Sequence, residues 1–270
     1  MIRVASHKDK KRIESLWREC FTDTPSFVAW YFNEVFNPEN TFLAENDGEV
    51  VASLQICQYD MIILNEHFKA FGIWGVCTAE KERNKGYMRS LMEYSFCRIK
   101  ERGGEIALLC PAVTGMYEKF GFSEIYKIER YKISDDAFEY NGEYNMALFD
   151  TIKRIYFKHI KEKDVYINRD DKDIENIIRE AICDESIRLY VRDDGYLIAT
   201  KDDGEVTVLE GFGFSLERCP KENVIMAKCM KEESFIKKLD GKFDLNYGDD
   251  IIKKIFSNKL NMYINFPADI

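Results

Sequence analysis

Arg83, Asn84, Lys85 and Gly86 stand where a strand-like run gives way to a helix-like one, the arrangement in which a chain can grip a phosphate. Ile73 to Thr78 reads as a β-strand, and Ala79 to Lys85 is polar and carries Lys81, Arg83 and Lys85. Beyond Gly86 the apolar residues fall at Met88, Leu91, Met92, Phe96 and Ile99, a helical spacing, so a helix is expected to begin at or near Gly86. The first amides of a helix have no partner within it and lie at the positive end of its dipole, so they can hold a phosphate or pyrophosphate. Gly86 would let that anion approach the backbone, and Arg83 and Lys85 would add formal charge. An isolated Arg-x-x-Gly is more often a plain turn between strand and helix, so the reading depends on its surroundings.

A second constellation follows about thirty residues downstream, Met116-Tyr117-Glu118-Lys119-Phe120-Gly121-Phe122, with a strand-like segment between the two. Taken together they resemble the GNAT acyl-CoA N-acyltransferases. Arg83-Asn84-Lys85-Gly86-Tyr87-Met88 is similar to that family's motif A, [Arg/Gln]-x-x-Gly-x-[Gly/Ala], with Met88 departing from the small residue expected last. The Tyr followed by Gly-Phe resembles its later signature. Within the group the chain is most similar to the enhanced-intracellular-survival type, in which a second, GNAT-like domain lacks the acyl-CoA motif. That similarity rests on Gly75-Val76-Cys77-Thr78 running into Glu82 to Met92, on a second half without a motif, and on the ending Phe266-Pro267-Ala268-Asp269-Ile270. It is closest over residues 70–122 and fades after 165.

The resemblance implies that an acetyl or other short acyl group moves from acetyl-CoA to a primary amine, on a small molecule or peptide, by direct attack. Backbone amides from Arg83 to Arg89, spanning Asn84, Lys85, Gly86, Tyr87 and Met88, would hold the pyrophosphate. Val76, Cys77 and Thr78 would border the pantetheine arm, with Val76 and Thr78 pairing to it through their backbones. An N–H near Val76 would polarise the thioester carbonyl. Tyr117 is the candidate general acid for the departing thiolate, and a packed aromatic is its plain alternative. The terminal carboxylate of Ile270 is the family's base or amine anchor, with Glu80, Glu45 and Asp60 as alternatives. A different class of function, a non-catalytic acyl-CoA-binding regulatory or interaction protein, would keep Arg83 and Gly86 without needing Tyr117 or a free C-terminus.

Composition narrows the field without choosing a reaction. A net charge of −9 and a pI near 5.1 disfavour a nucleic-acid binder and favour cationic partners such as amines. Cysteines at positions 20, 57, 77, 97, 110, 183, 219 and 229 form no Cys-x-x-Cys pair, so they read as reduced core residues and no metal is expected. No apolar run approaches the roughly 20 residues that cross a bilayer, and MIRVASHKDKKR lacks a signal-peptide core, which suggests a cytoplasmic protein that works away from membranes. A homo-oligomer is compatible with the sequence.

The elements that must position these residues read as α/β with a mixed sheet. Ser6 to Asp9 resembles a capping box for a first helix through Cys20, and Thr24-Pro25 opens a second that Asn37-Pro38 stops. Its aromatics, Phe27, Trp30 and Tyr31, are expected to pack in the core or to touch the acceptor. Thr41–Glu45 and Glu49–Gln58 form a hairpin, Met61–Leu64 and Phe68–Phe71 continue the sheet, and Glu105–Cys110 follows the motif helix. Thr114–Lys119 is expected as a short helix, and Phe122 to Ile133 as one or two closing strands. The polar stretch from Ser134 marks a linker, giving a GNAT acyl-CoA domain at residues 1–133 and a smaller α+β domain at 134–270, degenerate GNAT or sterol-carrier-like. Helices at Met146–Lys161 and Asp173–Cys183, a three-strand meander from Ile187 to Glu210, a strand at Val224–Met230, helices at Glu232–Leu239 and Asp249–Phe256 and an apolar tail, Met262–Ile270, complete it.

Overall fold

The computed structural model describes residues 1–113, 115–133, 137–202, 205–258, 260 and 262–263. The first half runs β1 (Ile2–Val4), α1 (Lys10–Cys20), α2 (Pro25–Trp30), β2 (Thr41–Asn46), β3 (Glu49–Ile63), β4 (Glu66–Thr78), α3 (Tyr87–Glu101), β5 (Ile106–Leu109) and β6 (Ser123–Ile133). The second runs α4 (Met146–Ile160), β7 (Val165–Ile167), α5 (Asp171–Cys183), β8 (Ile187–Val191), β9 (Tyr196–Asp202), β10 (Glu205–Phe212), β11 (Leu216–Cys229), α6 (Glu232–Leu239), α7 (Ile251–Phe256) and β12 (Met262–Tyr263). It is a mixed α/β fold, antiparallel except where β4 meets β5 and β7 meets β12.

Local chemistry fixes the helix starts. The Ser6 amide donates to Asp9 Oδ2 at 2.8 Å, and α1 follows with Ile13, Leu16 and Trp17 buried on one face. Each such side chain contributes about 1.5–3 kcal/mol. Thr24 Oγ1 accepts from the Phe27 amide at 3.1 Å and Pro25 occupies the first turn of α2, which continues as a wider turn through Tyr31–Val35. At α5 the start lies two residues earlier than the periodicity predicts, because Asp170 rather than a later residue caps it, accepting from the Asp173 amide at 2.8 Å.

One sheet spans the molecule in the order β1-β2-β3-β4-β5-β11-β6-β10-β9-β8. β11, from the second half, lies between β5 and β6 of the first, with Met226 opposite Leu109 and Ile225 opposite Tyr126. The sheet therefore continues across residue 134, where the sequence suggests a linker. β7 pairs with the far end of β3, Met61 to Ile63.

Several expectations are corrected. The four short strands expected between Glu49 and Thr78 are two long ones, because Tyr59 and Asp60 keep pairing with Ala70 and Lys69 and no turn intervenes. β1 and β7 were not expected; three residues are too few to show a period. The helix expected at Thr114–Lys119 is a 3₁₀ turn at Glu118–Phe120, preceded by Tyr117, and Thr114 lies outside the described residues. The strand expected from Val224 begins at Leu216. Of the apolar tail only Met262 and Tyr263 are described; Ile270 lies outside the described residues. The cysteines are not uniformly core residues, since Cys97 and Cys183 are exposed.

Candidate active site

The backbone between β4 and α3 forms a cradle. After Thr78 comes a 3₁₀ turn at Glu80–Glu82, then Arg83 in extended conformation and Asn84 at φ 64°. Gly86 follows at φ 88° as the N-cap of α3. Left-handed backbone at Gly86 suits a residue without Cβ, and a Cβ there would meet nothing within 4 Å, so glycine serves conformation and leaves the space above it open. The first helical bond at this end runs from the Ser90 amide to the Gly86 carbonyl at 3.1 Å. The amides of Tyr87, Met88 and Arg89 are thus the helix's unpaired first donors among the described residues, as the sequence requires. Arg83 Nε bonds the Thr78 carbonyl at 3.3 Å and steadies the turn while its side chain stays exposed.

The neighbouring strands open beside this cradle. β4 and β5 pair only from Ala70 and Ile106 to Gly72 and Leu108, and β4 runs on to Thr78 while β5 stops at Leu109. A cavity of about 490 Å³ lies along the opening. Val76, Cys77, Thr78, Arg83, Asn84, Gly86, Tyr87, Met88 and Arg89 line it, all expected from the sequence. Lys85 does not. It pairs instead with Glu82 at 2.9 Å, an i,i+3 contact across the turn that exposure keeps weak.

Two thiols face each other at this cavity. Cys20, at the end of α1, donates to the Thr78 carbonyl at 3.5 Å, and Cys77 lies 3.3 Å from Ser53 Oγ. The Cys77 thiol hydrogen-bonded to it pulls Cys20 down to about 7 against the opposing effect of burial, with Arg83 adding to the pull. The same contact and its own burial push Cys77 well up.

Tyr117 is half-buried and meets the Phe122 ring edge-on at 6.3 Å. Its neighbours Met116, Lys119 and Phe120 line the cavity, whereas Tyr117 itself packs behind them against the same apolar cluster as Val76, Tyr87 and Met88. Burial pushes its phenol up, which keeps it protonated. Among the alternative bases, Glu45 is committed to Arg3 at 2.8 Å and Arg12 at 3.0 Å, and Asp60 to His67 at 2.9 Å and Asn168 at 2.8 Å. Glu80 lines neither this cavity nor the smaller one described below.

Residues 1–125 match the family model of the acetyltransferase (GNAT) domain. The N-terminal half is a GNAT domain. The likeness in fold extends past it. GCN5-related N-acetyltransferase from Kribbella flavida is 14% identical over 88% of this chain and 73% of its own, with TM-score 0.68. The corresponding protein from Anabaena variabilis is 14% identical over 88% and 74%, with TM-score 0.69. Eis1 from Mycobacterium abscessus is 11% identical over 87% and 75%, with TM-score 0.64. At these identities the likeness is one of fold, and it takes in most of both halves, an Eis-like arrangement. A comparison with curated proteins gives no match. The GNAT match supports acyl transfer from an acyl-CoA donor.

The GNAT domain holds two features that sequence reasoning missed. Gly75, one residue before Val76, sits at φ 56° where β3 and β4 slip register, and a Cβ there would lie 2.0 Å from Gln55 Oε1 and 2.6 Å from the Trp17 ring. A glycine inside a strand pattern was the available signal for that bulge. The second feature is a cavity of about 50 Å³ where the helix-and-turn pair Phe27–Val35 meets α5. Its Asp173, Asn176 and Glu180 recur at helical spacing on α5, but nothing in the chain order says that this face meets the GNAT domain. No helix among the described residues is long and apolar enough to cross a membrane. Nor does any group of three His, Cys, Asp or Glu side chains among them have the arrangement of a metal site.

Proposed function

We propose that this protein is an N-acyltransferase that moves an acetyl or short acyl group from acetyl-CoA to a primary amine by direct attack, in the cytoplasm. One observation carries the reading: the unpaired amides of Tyr87, Met88 and Arg89 and the exposed Arg83 border the same cavity as the strand edge Val76–Thr78. A diphosphate held at the helix start and an extended arm laid along the parted strand would bring the thioester towards Gly75 and Val76. The cradle supplies fixed partial charge, and Arg83 and Arg89 supply formal charge, to a group that carries two negative charges or more. In this proposal an N–H near Val76 takes the developing charge on the thioester oxygen. Tyr117 protonates the leaving sulfur, which its raised pKa and its place in the turn beside the cavity support. Lys85, released from its exposed pair with Glu82, would join the phosphates, and Ile270 remains a proposed carboxylate for the amine. The second half, from residue 134, is proposed as the motif-less GNAT-like domain that completes the acceptor side.

Calorimetry with CoA, followed by thiol release from acetyl-CoA over a panel of primary amines, tests the proposal. Binding of CoA at a single site and amine-dependent turnover are expected. CoA binding with no amine raising turnover would leave a binding protein, and no CoA binding would end the assignment altogether.

A further inference from the structure

The small cavity between Phe27–Val35 and α5 combines aromatic walls with carboxyl groups and leaves polar atoms unmatched. Trp30, Tyr31 and Trp74 form the walls, and Asp173, Asn176 and Glu180 close the other side. The indole nitrogens of Trp30 and Trp74 are buried and have no hydrogen-bond partner. Glu180 is 6% exposed and makes no side-chain hydrogen bond to a described residue. A carboxyl buried in this state stays neutral until water, an ion or a ligand meets it.

Its surroundings say what charge that partner carries. Asp184 at the C-cap of α5, Glu210 on β10 and Asp23 before α2 all act on Glu180, and the one opposing cation among the groups acting on it is Arg169. Arg169 is already held by Glu210 through bonds of 2.7 and 2.6 Å. Asp184 receives Thr24 and Ser186, and Asp23 receives the Trp17 indole. For Glu180 to ionise among these carboxyls it needs a cation beside it, and the aromatic faces there favour an ammonium group over a metal.

Position connects the cavity to the reaction. Trp74 lines it and Val76 lines the larger cavity, two residues further along β4 with the Gly75 bulge between them. A strand rises about 3.3 Å per residue, so Trp74 and Val76, one lining each cavity, stand about 7 Å apart along β4. At about 50 Å³ the smaller one has room for several waters, hence for an ammonium group and a few carbons but not for a branched head.

Building on the proposed acyltransferase reading, we propose that this cavity takes the ammonium end of a slim, unbranched primary amine and that Glu180, from the second half of the chain, is the carboxyl that receives its proton. Burial and the surrounding carboxyls hold Glu180 protonated while the cavity is empty. Entry of R–NH₃⁺ displaces that proton to solvent and forms an ion pair. Glu180 carboxylate then takes one proton from the ammonium, and the freed lone pair makes the C–N bond to the acyl carbon. As the C–S bond breaks, the sulfur takes the Tyr117 proton, and the second proton lost from nitrogen restores Tyr117. The balance is one amide, one CoA thiol and a protonated Glu180.

The test uses the full-length protein and reads tryptophan fluorescence, since Trp30 and Trp74 border the cavity. Propylamine should change the emission saturably and 1-propanol should not. Glu180→Gln, which keeps the size and neutrality of the protonated carboxyl and so should fold, is expected to bind propylamine at least tenfold more weakly with CoA affinity unchanged. In the turnover assay it should lose the acid limb of the kcat/KM profile. Val35→Phe, which fills the cavity without altering charge, should abolish the propylamine signal. Equal binding by propanol, wild-type propylamine affinity in Glu180→Gln, or a retained signal in Val35→Phe would each overturn the assignment. Failure of CoA to bind in calorimetry would instead strike the acyltransferase reading, because the amine titration needs no CoA.

Discussion

Thr24 Oγ1 donates to Asp184 Oδ1 at 2.9 Å, and so one hydroxyl that caps α2 also ties it to the end of α5, 160 positions away. The Glu185 amide adds a bond to Ser26 Oγ at 3.4 Å beside it. On the other side of the molecule β11 lies between β5 and β6, and its Ile225, Met226 and Ala227 are buried. The halves share both a sheet and a core.

A fragment of residues 1–133 is therefore expected not to fold cooperatively. Without β11, β5 and β6 lose their common neighbour, and their backbone groups and apolar faces are left to water or to other chains. Circular dichroism melts and hydrogen exchange should show no protected core in the fragment. A soluble fragment that melts sharply and binds CoA would refute this.

Arg83→Ala should weaken CoA binding about tenfold, or about 1.4 kcal/mol. The side chain is exposed at the cavity lip, so its contribution is partly screened, and the helix amides remain in the variant. Calorimetry at two salt concentrations checks both points: the wild-type affinity should fall faster with salt. Unchanged affinity and salt slope would remove Arg83 from the anion site.

Much of the cradle around Gly86 was legible in the sequence because it is built from consecutive residues. The polar break after Thr78, the glycine and the apolar period from Met88 describe a strand, a turn and a helix start without any long-range information, and nine of the ten residues expected around the donor line the cavity. Lys85 was the exception, because sequence gives no hint that Glu82 sits opposite it. What stayed hidden depends on contacts distant in the chain. The insertion of β11 between β5 and β6, and the meeting of Glu180 with Trp30 and Trp74, follow from topology that a period of two or 3.6 residues does not encode. Local propensity breaks β3 at Asp60 and β4 at Gly72, and pairing with neighbours on the sheet overrides it.

Tyr117→Phe should lower kcat about 100-fold and leave KM for acetyl-CoA nearly unchanged, within the usual range for one general acid. The phenol ring packs on Phe122 and phenylalanine can keep that contact, so the fold should not suffer. Steady-state kinetics with a reactive amine measures the split. A variant with full kcat would leave Tyr117 as packing alone.

Cys20 should be the most reactive thiol near the donor cavity. Its pKa near 7 leaves about half of it as thiolate at neutral pH, while Cys77 is buried and pushed well up. Iodoacetamide labelling followed by peptide mass spectrometry should modify Cys20 with a half-maximal rate near pH 7, and CoA should protect it. Labelling of Cys77 before Cys20, or no protection, would contradict the arrangement of the two thiols at the cavity.

Arg169→Met tests the second half's core. The guanidinium and the Glu210 carboxylate are 2% and 4% exposed, bonded at 2.6 Å, and the Tyr196 hydroxyl donates to the same carboxylate at 2.6 Å. Arg169 also lies 4.5 Å from the centre of the Tyr156 ring. Removing one member of such a pair leaves the other charge buried and costs about 3–5 kcal/mol. The loss should be largest at neutral pH, where the unfolded chain ionises Glu210 freely and the folded variant must either bury its charge or protonate it. As pH falls towards the ordinary carboxylate pKa the unfolded state protonates too, and the deficit should shrink. Urea denaturation at pH 7.5 and pH 5 measures the difference, and Arg169→Met combined with Glu210→Gln should recover much of the stability at pH 7.5. A deficit independent of pH, or no recovery in the double variant, would mean that packing on Tyr156 rather than the ion pair carries the effect.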